Sequence, residues 1–389
     1  MQSSKILVVT NPEDLLPAPV VLLGVKISVT TEPLTGADRH EHCLVSASLL
    51  AALHLSIGMQ LRVTGPDGNS AVFTIRDTFV TISIPPLVSY AIKVYSNSTT
   101  DSQNGGVYKL CGQAGSNASL PFTTCTVANV PVSESTTGSH LTHFYDEPAS
   151  GSFTEHVSRA SDQQLIALFP HGGNIDRHTS DQVAPFASRL AEEDRTATTW
   201  ECRGTWSGGG AMIRWHITAT DIATTSFRGL HKAQFVAHGT TSSGEILYYY
   251  IPFRFAVAFH GVTAHAGVNA IVIGGLASTA HKELVRDHIQ QAIADAAPQG
   301  TTVYYYVANS GVTLPTSWHG IDVSLHSGLG TNNIVNRMCT DGGIQIEQSQ
   351  AVRDNEVLRT AVARGVAAAM LEILAEAESL GSARPERQP

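Results

Sequence analysis

From about residue 155 onward, apolar runs of four to eight residues alternate with stretches in which apolar positions recur every three or four. The short runs "QQLIALFP", "TATTWECRG", "IRWHITAT", "FRFAVAFHG", "NAIVIGGL", "TTVYYYVA" and "GGIQIEQS" read as strands. The segments "DQVAPFASRLAEED" and "KELVRDHIQQAIADAAP" read as amphipathic helices, and a final helix runs from about Asp354 to Ser379. Strands alternating with helical patterns predict an α/β sheet flanked by helices. The first 130 residues have a different texture. Short strands, "VVLLGVKISVT", "QLRVTGPDGNSAVFTI", "FVTISIPP", "YAIKVYSN" and "VYKLCG", are interrupted by one helix, "SASLLAALHL". Within them "GPDGN" marks a tight turn between two alternating runs. The order helix, "SIGMQLRVTG", strand resembles the half-repeat of a double-psi barrel. The pattern therefore predicts a smaller, mostly β domain over residues 1–135 and an α/β domain over 155–380. A Ser/Thr/Gly/Pro-rich linker spans 136–154, and 381–389 is a polar tail.

At 389 residues the chain exceeds the size at which one core stops growing, which agrees with two domains. Only 15% of its residues are charged and 42% are hydrophobic, so it reads as a folded protein with a Ser/Thr/Gly-rich surface. The net charge of -9 is spread over both halves. No basic face offers itself to nucleic acid or anionic lipid. The N-terminal "MQSSKILVVTNPEDLLPAP" lacks the apolar core and cleavage site of a signal peptide. No apolar stretch approaches the ~20 residues of a membrane span. The expected location is cytoplasmic, and five scattered cysteines without CxxC spacing suit a reducing compartment.

Candidate chemistry gathers at strand ends. In "LFPHGGNIDRHTSD" His171 closes an apolar run, and Asp176 follows five residues later. On a helix that separation would place the two ~140° apart, so they share an ion only if Gly172 and Gly173 turn the chain back. His260 in "VAFHG" closes a second run and is again followed by glycine. Ligands of open α/β sheets sit beyond the carboxyl ends of strands, so His171, Asp176 and His260 can face one crevice. Two imidazoles and a carboxylate form the ligand set of a catalytic zinc site with one position left open. Glu347, ending "GGIQIE", would then serve as the general base. Asp176 could instead cap the helix that follows, and His216, His265 and His326 read as structural histidines.

Four blocks, "FPHGGNIDRHTSD" (169–181), "WHITATD" (215–221), "AFHGVT…IVIGGL" (258–276) and "TNNIVNRMCTDGGIQIEQSQAVR" (331–353), occur in order. Together they resemble the zinc-dependent poly-γ-glutamate hydrolase family, whose fold is carboxypeptidase-like. The resemblance implies a zinc amidohydrolase with His171, Asp176 and His260 as ligands and Glu347 as base. The family usually carries glutamate where Asp176 stands, so the loop must come closer to a metal by about one bond length. Val335 and Met338 replace a cysteine and a glycine of the family pattern, while Asn333, Asn336 and Arg337 are retained. For a family acting on carboxylate-bearing amides, Arg337 and Arg353 become candidate carboxylate grips beside Asn336. Arg203, at another strand end, is a candidate to polarise the scissile carbonyl. The expected substrate is a small or peptide-like carboxylate cleaved at an amide or γ-glutamyl bond, with neither nucleic acid nor membrane as partner. An esterase or deacylase on the same scaffold, or a binding module without turnover, are the alternatives.

Overall fold

The computed structural model describes residues 7–30, 39–80, 90–97, 105–113, 119–131, 153–206 and 210–382. Most of the expected linker and of the polar tail lies outside the described residues. The chain divides into two compact units, Met1–His156 with Cys202–Ile251, and Val157–Glu201 with Pro252–Pro389. Residues 202–251, read from sequence with the α/β domain, thus belong with the first unit.

Six strands of the first unit close into a barrel in the order Val21–Thr30, Ala91–Tyr95, His42–Ser46, Ser70–Phe79, Gln60–Thr64, Thr124–Ala128. The "GPDGN" turn joins an antiparallel pair, Arg62 facing Val72 and Thr64 facing Ser70. Val25, Val45, Leu61, Phe73, Val94 and Val127 fill the interior. The chain beyond residue 210 is tied to the same unit by buried polar contacts. Glu41 pairs with His216 and accepts hydrogen bonds from the Thr218 amide at 2.7 Å and its hydroxyl at 2.9 Å. His42 Nε2 lies 2.9 Å from Asp221 Oδ2, and Gln60 Nε2 donates to the Asp221 carbonyl at 2.7 Å. Burial alone would raise the Glu41 carboxyl, but His216 and the hydrogen bonds outweigh it and hold it well below the usual range.

Two expected strands take other forms. "VYKLCG" is the helix Gly106–Cys111, ended by Gly112 in the left-handed region at φ 67. "IRWHITAT" is a one-turn helix, Ala211–Trp215, followed by irregular chain. There Lys109 Nζ donates to the His216 carbonyl, and Glu41 takes the Thr218 amide. Side chains from elsewhere in the first unit thus bind the backbone groups that a strand would pair with its neighbour. A three-stranded ribbon, Val8–Val9, Ile246–Tyr250 and Phe235–Thr240, was not foreseen in the pattern.

The second sheet is mixed, ordered Tyr304–Val307, Ala270–Gly274, Gly343–Ser349, Phe255–Val262, Leu165–Gly173, Thr198–Gly204, Phe153–Ser158. Phe255–Val262 runs parallel to both of its neighbours, while Gly343–Ser349 is antiparallel to Ala270–Gly274. The near-continuous apolar runs of these strands suit a sheet buried on both faces. Phe169 and Phe259 stack at 4.8 Å and anchor one core with Phe186, Val285, Ile289, Val362 and Met370 from the helices Val183–Ala191, Thr279–Ala296 and Glu356–Ser382. Among the described residues no helix is long and apolar enough to cross a membrane.

Candidate metal centre

Three adjacent parallel strands bring their carboxyl ends together here. His260 stands opposite Glu347 in the ladder between Phe255–Val262 and Gly343–Ser349, and His171 lies near the end of the strand on the other side. Beyond His171 the chain turns back within five residues. Gly173 adopts φ 68, the Asp176 amide donates to the His171 carbonyl at 2.8 Å, and the Thr179 hydroxyl bonds the His171 and Asp176 carbonyls. Gly172 needs no left-handed backbone, so Gly173 alone supplies the permissive position.

The turn returns Asp176 to His171, with Oδ2 at 2.9 Å from Nδ1, and His171 Nδ1 is 3.2 Å from His260 Nδ1. All three side chains are buried, and their candidate ligand atoms lie within 4.8 Å of one another. Tetrahedral coordination at about 2.0–2.1 Å per ligand spaces the ligand atoms about 3.3 Å apart, so this donor set fits a small divalent cation. Asp176 Oδ2 also accepts from the Gly261 amide at 2.9 Å, which fixes the carboxylate to the end of the second strand.

Glu347 is 4% exposed, and its two oxygens are treated differently. Gln345 Nε2 donates to Oε1 at 2.8 Å, and His326 Nδ1 lies 3.9 Å from the same atom, whereas Oε2 is buried with no hydrogen-bond partner. Burial pushes the Glu347 carboxyl above its ordinary value; His326 opposes this and Asp176 adds to it. For His326, burial alone would lower the imidazole, but the Glu347 carboxylate outweighs it and the net shift is upward.

The candidate arginines differ in their settings. Arg353 is buried, donating from Nη1 to the Arg177 carbonyl at 2.7 Å and from Nε to the Gln348 carbonyl at 3.1 Å. Its guanidinium also covers Gly261, where a Cβ would fall 2.4 Å from Cζ. Arg353 thereby ties the residue after Asp176 to the end of the Glu347 strand. Arg337 is exposed at the last position of the helix Ile334–Arg337. Asn336 accepts from the Leu276 amide and donates to the Gly328 and Gly330 carbonyls, so its amide organises loops. Arg203 is half-buried in Thr198–Gly204, in the first unit, whereas the three ligand candidates and Glu347 are in the second. His178 and Asp181 pair with each other at 2.8 Å.

Two residues at the site are absent from the sequence reading's candidates. Gln345 was legible in principle, because it lies two positions before Glu347 on one strand and so shares its face. His326 was not, since it ends a four-residue helix, Val323–His326, that carries no periodicity.

No protein-family model matches the chain, and no curated protein matches it. Among solved structures, it is similar to a bacteriophage poly-γ-glutamate hydrolase, with 18% identity and a TM-score of 0.37 over 59% of this chain and 90% of that one. It is also similar to a zinc-free form of YndL, with 18% identity and a TM-score of 0.36 over 60% and 93% of the two chains. An N-acetylmuramoyl-L-alanine amidase of Nostoc punctiforme matches with 13% identity and a TM-score of 0.30, over 56% of this chain and 99% of the amidase.

Proposed function

We propose that this protein is a zinc-dependent amidohydrolase that cleaves an amide or γ-glutamyl-type isopeptide bond in a carboxylate-bearing substrate. The observation that carries the reading is the buried His171, Asp176, His260 donor set with the unpartnered Glu347 Oε2 on the neighbouring strand end. The resemblance of four sequence blocks to the poly-γ-glutamate hydrolase family suggests the bond type.

His171, Asp176 and His260 would hold the metal, and zinc, when bound, supplies a Lewis acid that acidifies water and polarises a carbonyl. Glu347 takes the proton of the attacking water at Oε2. The same oxygen holds that proton until the amide nitrogen leaves, and then delivers it there. The Gly261 amide holds Asp176 Oδ2 toward the donor set throughout. Arg353 keeps the Arg177 carbonyl, and with it the Asp176 turn, from drifting away.

Metal analysis of the purified protein tests the reading, with about one zinc per chain expected. His171→Ala and His260→Ala lose it. Glu347→Gln keeps the zinc and the fold, and loses roughly 10²–10⁴-fold in kcat on γ-glutamyl and ordinary amide substrates. Full metal content and activity in both histidine variants would refute the ligand set, and wild-type kcat in Glu347→Gln would refute the base.

A further inference from the structure

We propose that Gln345 and His326 are positioning residues for Glu347: both engage Oε1, and so leave Oε2 as the oxygen that accepts the proton. The inference rests on the amidohydrolase reading and names which atom of the base acts and what holds it there.

A carboxylate alone at the end of a strand can turn about its last bond and exchange its two oxygens. Here the exchange is blocked from one side. Gln345 Nε2 donates to Glu347 Oε1 at 2.8 Å, while Gln345 Oε1 accepts from Asn333 Nδ2 at 2.7 Å. An ionised carboxylate only accepts, so the nitrogen of Gln345 must be the end that faces it. All three side chains are buried, and Asn333 is itself fixed as the N-cap of the helix Ile334–Arg337, accepting from the Val335 amide. The result is a directed row from helix cap to amide to carboxylate, ending on one named oxygen.

His326 reaches the same oxygen from a different element, 3.9 Å away, with its side chain 38% exposed. The chain just beyond it is pressed onto the sheet. Ser327 O accepts from the Gly275 amide at 2.8 Å, and a Cβ on Gly274 would lie 1.8 Å from that oxygen. Gly328, at φ 63, lies so close over Gln345 that a Cβ would come within 2.8 Å of Oε1 and Cβ of that side chain, and Asn336 holds its carbonyl. His326 is therefore presented to Glu347 by a clamped segment. Oε2, in contrast, is buried without a partner. A buried acceptor left without a donor is costly unless a ligand or solvent molecule meets it, and the attacking water would be that donor.

The experiment has two arms. A crystal structure of the zinc-loaded protein should show Oε1 held by Gln345 and Oε2 toward the solvent position beside His171, Asp176 and His260. A reversed carboxylate, or a protein donor on Oε2, overturns the proposal. In the kinetic arm, His326→Ala should lower kcat about 10- to 100-fold with KM and zinc content unchanged, as expected for losing a close, partly buried charge contact. His326→Asn, whose Nδ2 can take the place of the imidazole Nδ1, should recover part of the loss; His326→Leu should not. A rise in KM with kcat intact would mean that His326 contacts substrate instead, and wild-type kcat in His326→Ala would remove it from the mechanism. Glu347→Gln at wild-type kcat would instead overturn the reading on which this rests. An inactive Glu347→Gln beside a fully active His326→Ala would overturn the positioning alone.

Discussion

Gly261→Ala probes the candidate metal centre without touching a proposed ligand. A Cβ there would lie 2.4 Å from Arg353 Cζ and 2.7 Å from its Nε and Nη2, where carbon contacts settle near 3.5–4.0 Å. The guanidinium must retreat by about 1 Å, yet it is held by the Arg177 and Gln348 carbonyls at 2.7 and 3.1 Å. Retreat strains or breaks at least one of these charge-assisted bonds, each worth about 1.5–3 kcal/mol. Overpacking of a tight site costs about 1–3 kcal/mol more. Because the two terms partly replace one another, the expected destabilisation is about 2–4 kcal/mol. The Gly261 amide and the Arg177 carbonyl both bear on Asp176, so the displacement should also weaken zinc binding, roughly 10- to 100-fold as for other outer-shell contacts. The assay pairs denaturant unfolding of the metal-free protein with competitive zinc titration. Arg353→Ala in the Gly261→Ala background serves as the control, because removing the obstructing side chain should make the two changes markedly non-additive. An unchanged unfolding midpoint and unchanged zinc affinity in Gly261→Ala would show that Arg353 does not brace the Asp176 turn.

Two further outcomes can be stated. Asp176→Asn should weaken zinc affinity by removing the anionic ligand, whereas Asp176→Glu should retain most of it; equal affinity in wild type and Asp176→Asn, read by metal titration, would leave the residue only its role in the turn. Ionised Glu41 contributes stability that is present above its unfolded value of about 4.3 and is lost as pH falls toward its lowered folded value. Glu41→Gln should therefore flatten the loss of stability in acid, followed through the fluorescence of buried Trp215; identical acid midpoints for the two proteins would count against the Glu41 network as its source.

The convergence of His171, His260 and Glu347 was legible because each stands at the end of an apolar run, where a parallel sheet offers its carboxyl edge. Asp176 was legible through Gly173, since only a turn could bring it back to His171. The arginines were harder. Arg353 was expected as a substrate grip; its guanidinium also meets two backbone carbonyls, and nothing local in "SQAVRD" announces them. "IRWHITAT" misled for a related reason. Its alternation reflects the buried faces of Trp215 and Ile217, while its backbone is held by Lys109 and Glu41 from more than 100 residues away. His326 reaches Glu347 only through the packing of Ser327 and Gly328 on the sheet, a fit of backbone against glycine that no periodicity records.

The divided first unit also has a consequence for the order of events during synthesis. Glu41 and His216 are 175 residues apart, which at ordinary ribosomal rates of about 5–20 residues per second separates their emergence by ~9–35 s. Throughout that interval the barrel strands exist without the His216 and Thr218 partners of Glu41, so the carboxylate must remain hydrated. The strand bearing His171 leaves the ribosome inside the same interval. A nascent chain halted before residue 202 therefore holds all six barrel strands and the strand bearing His171, but lacks His216 and Thr218 as partners for Glu41.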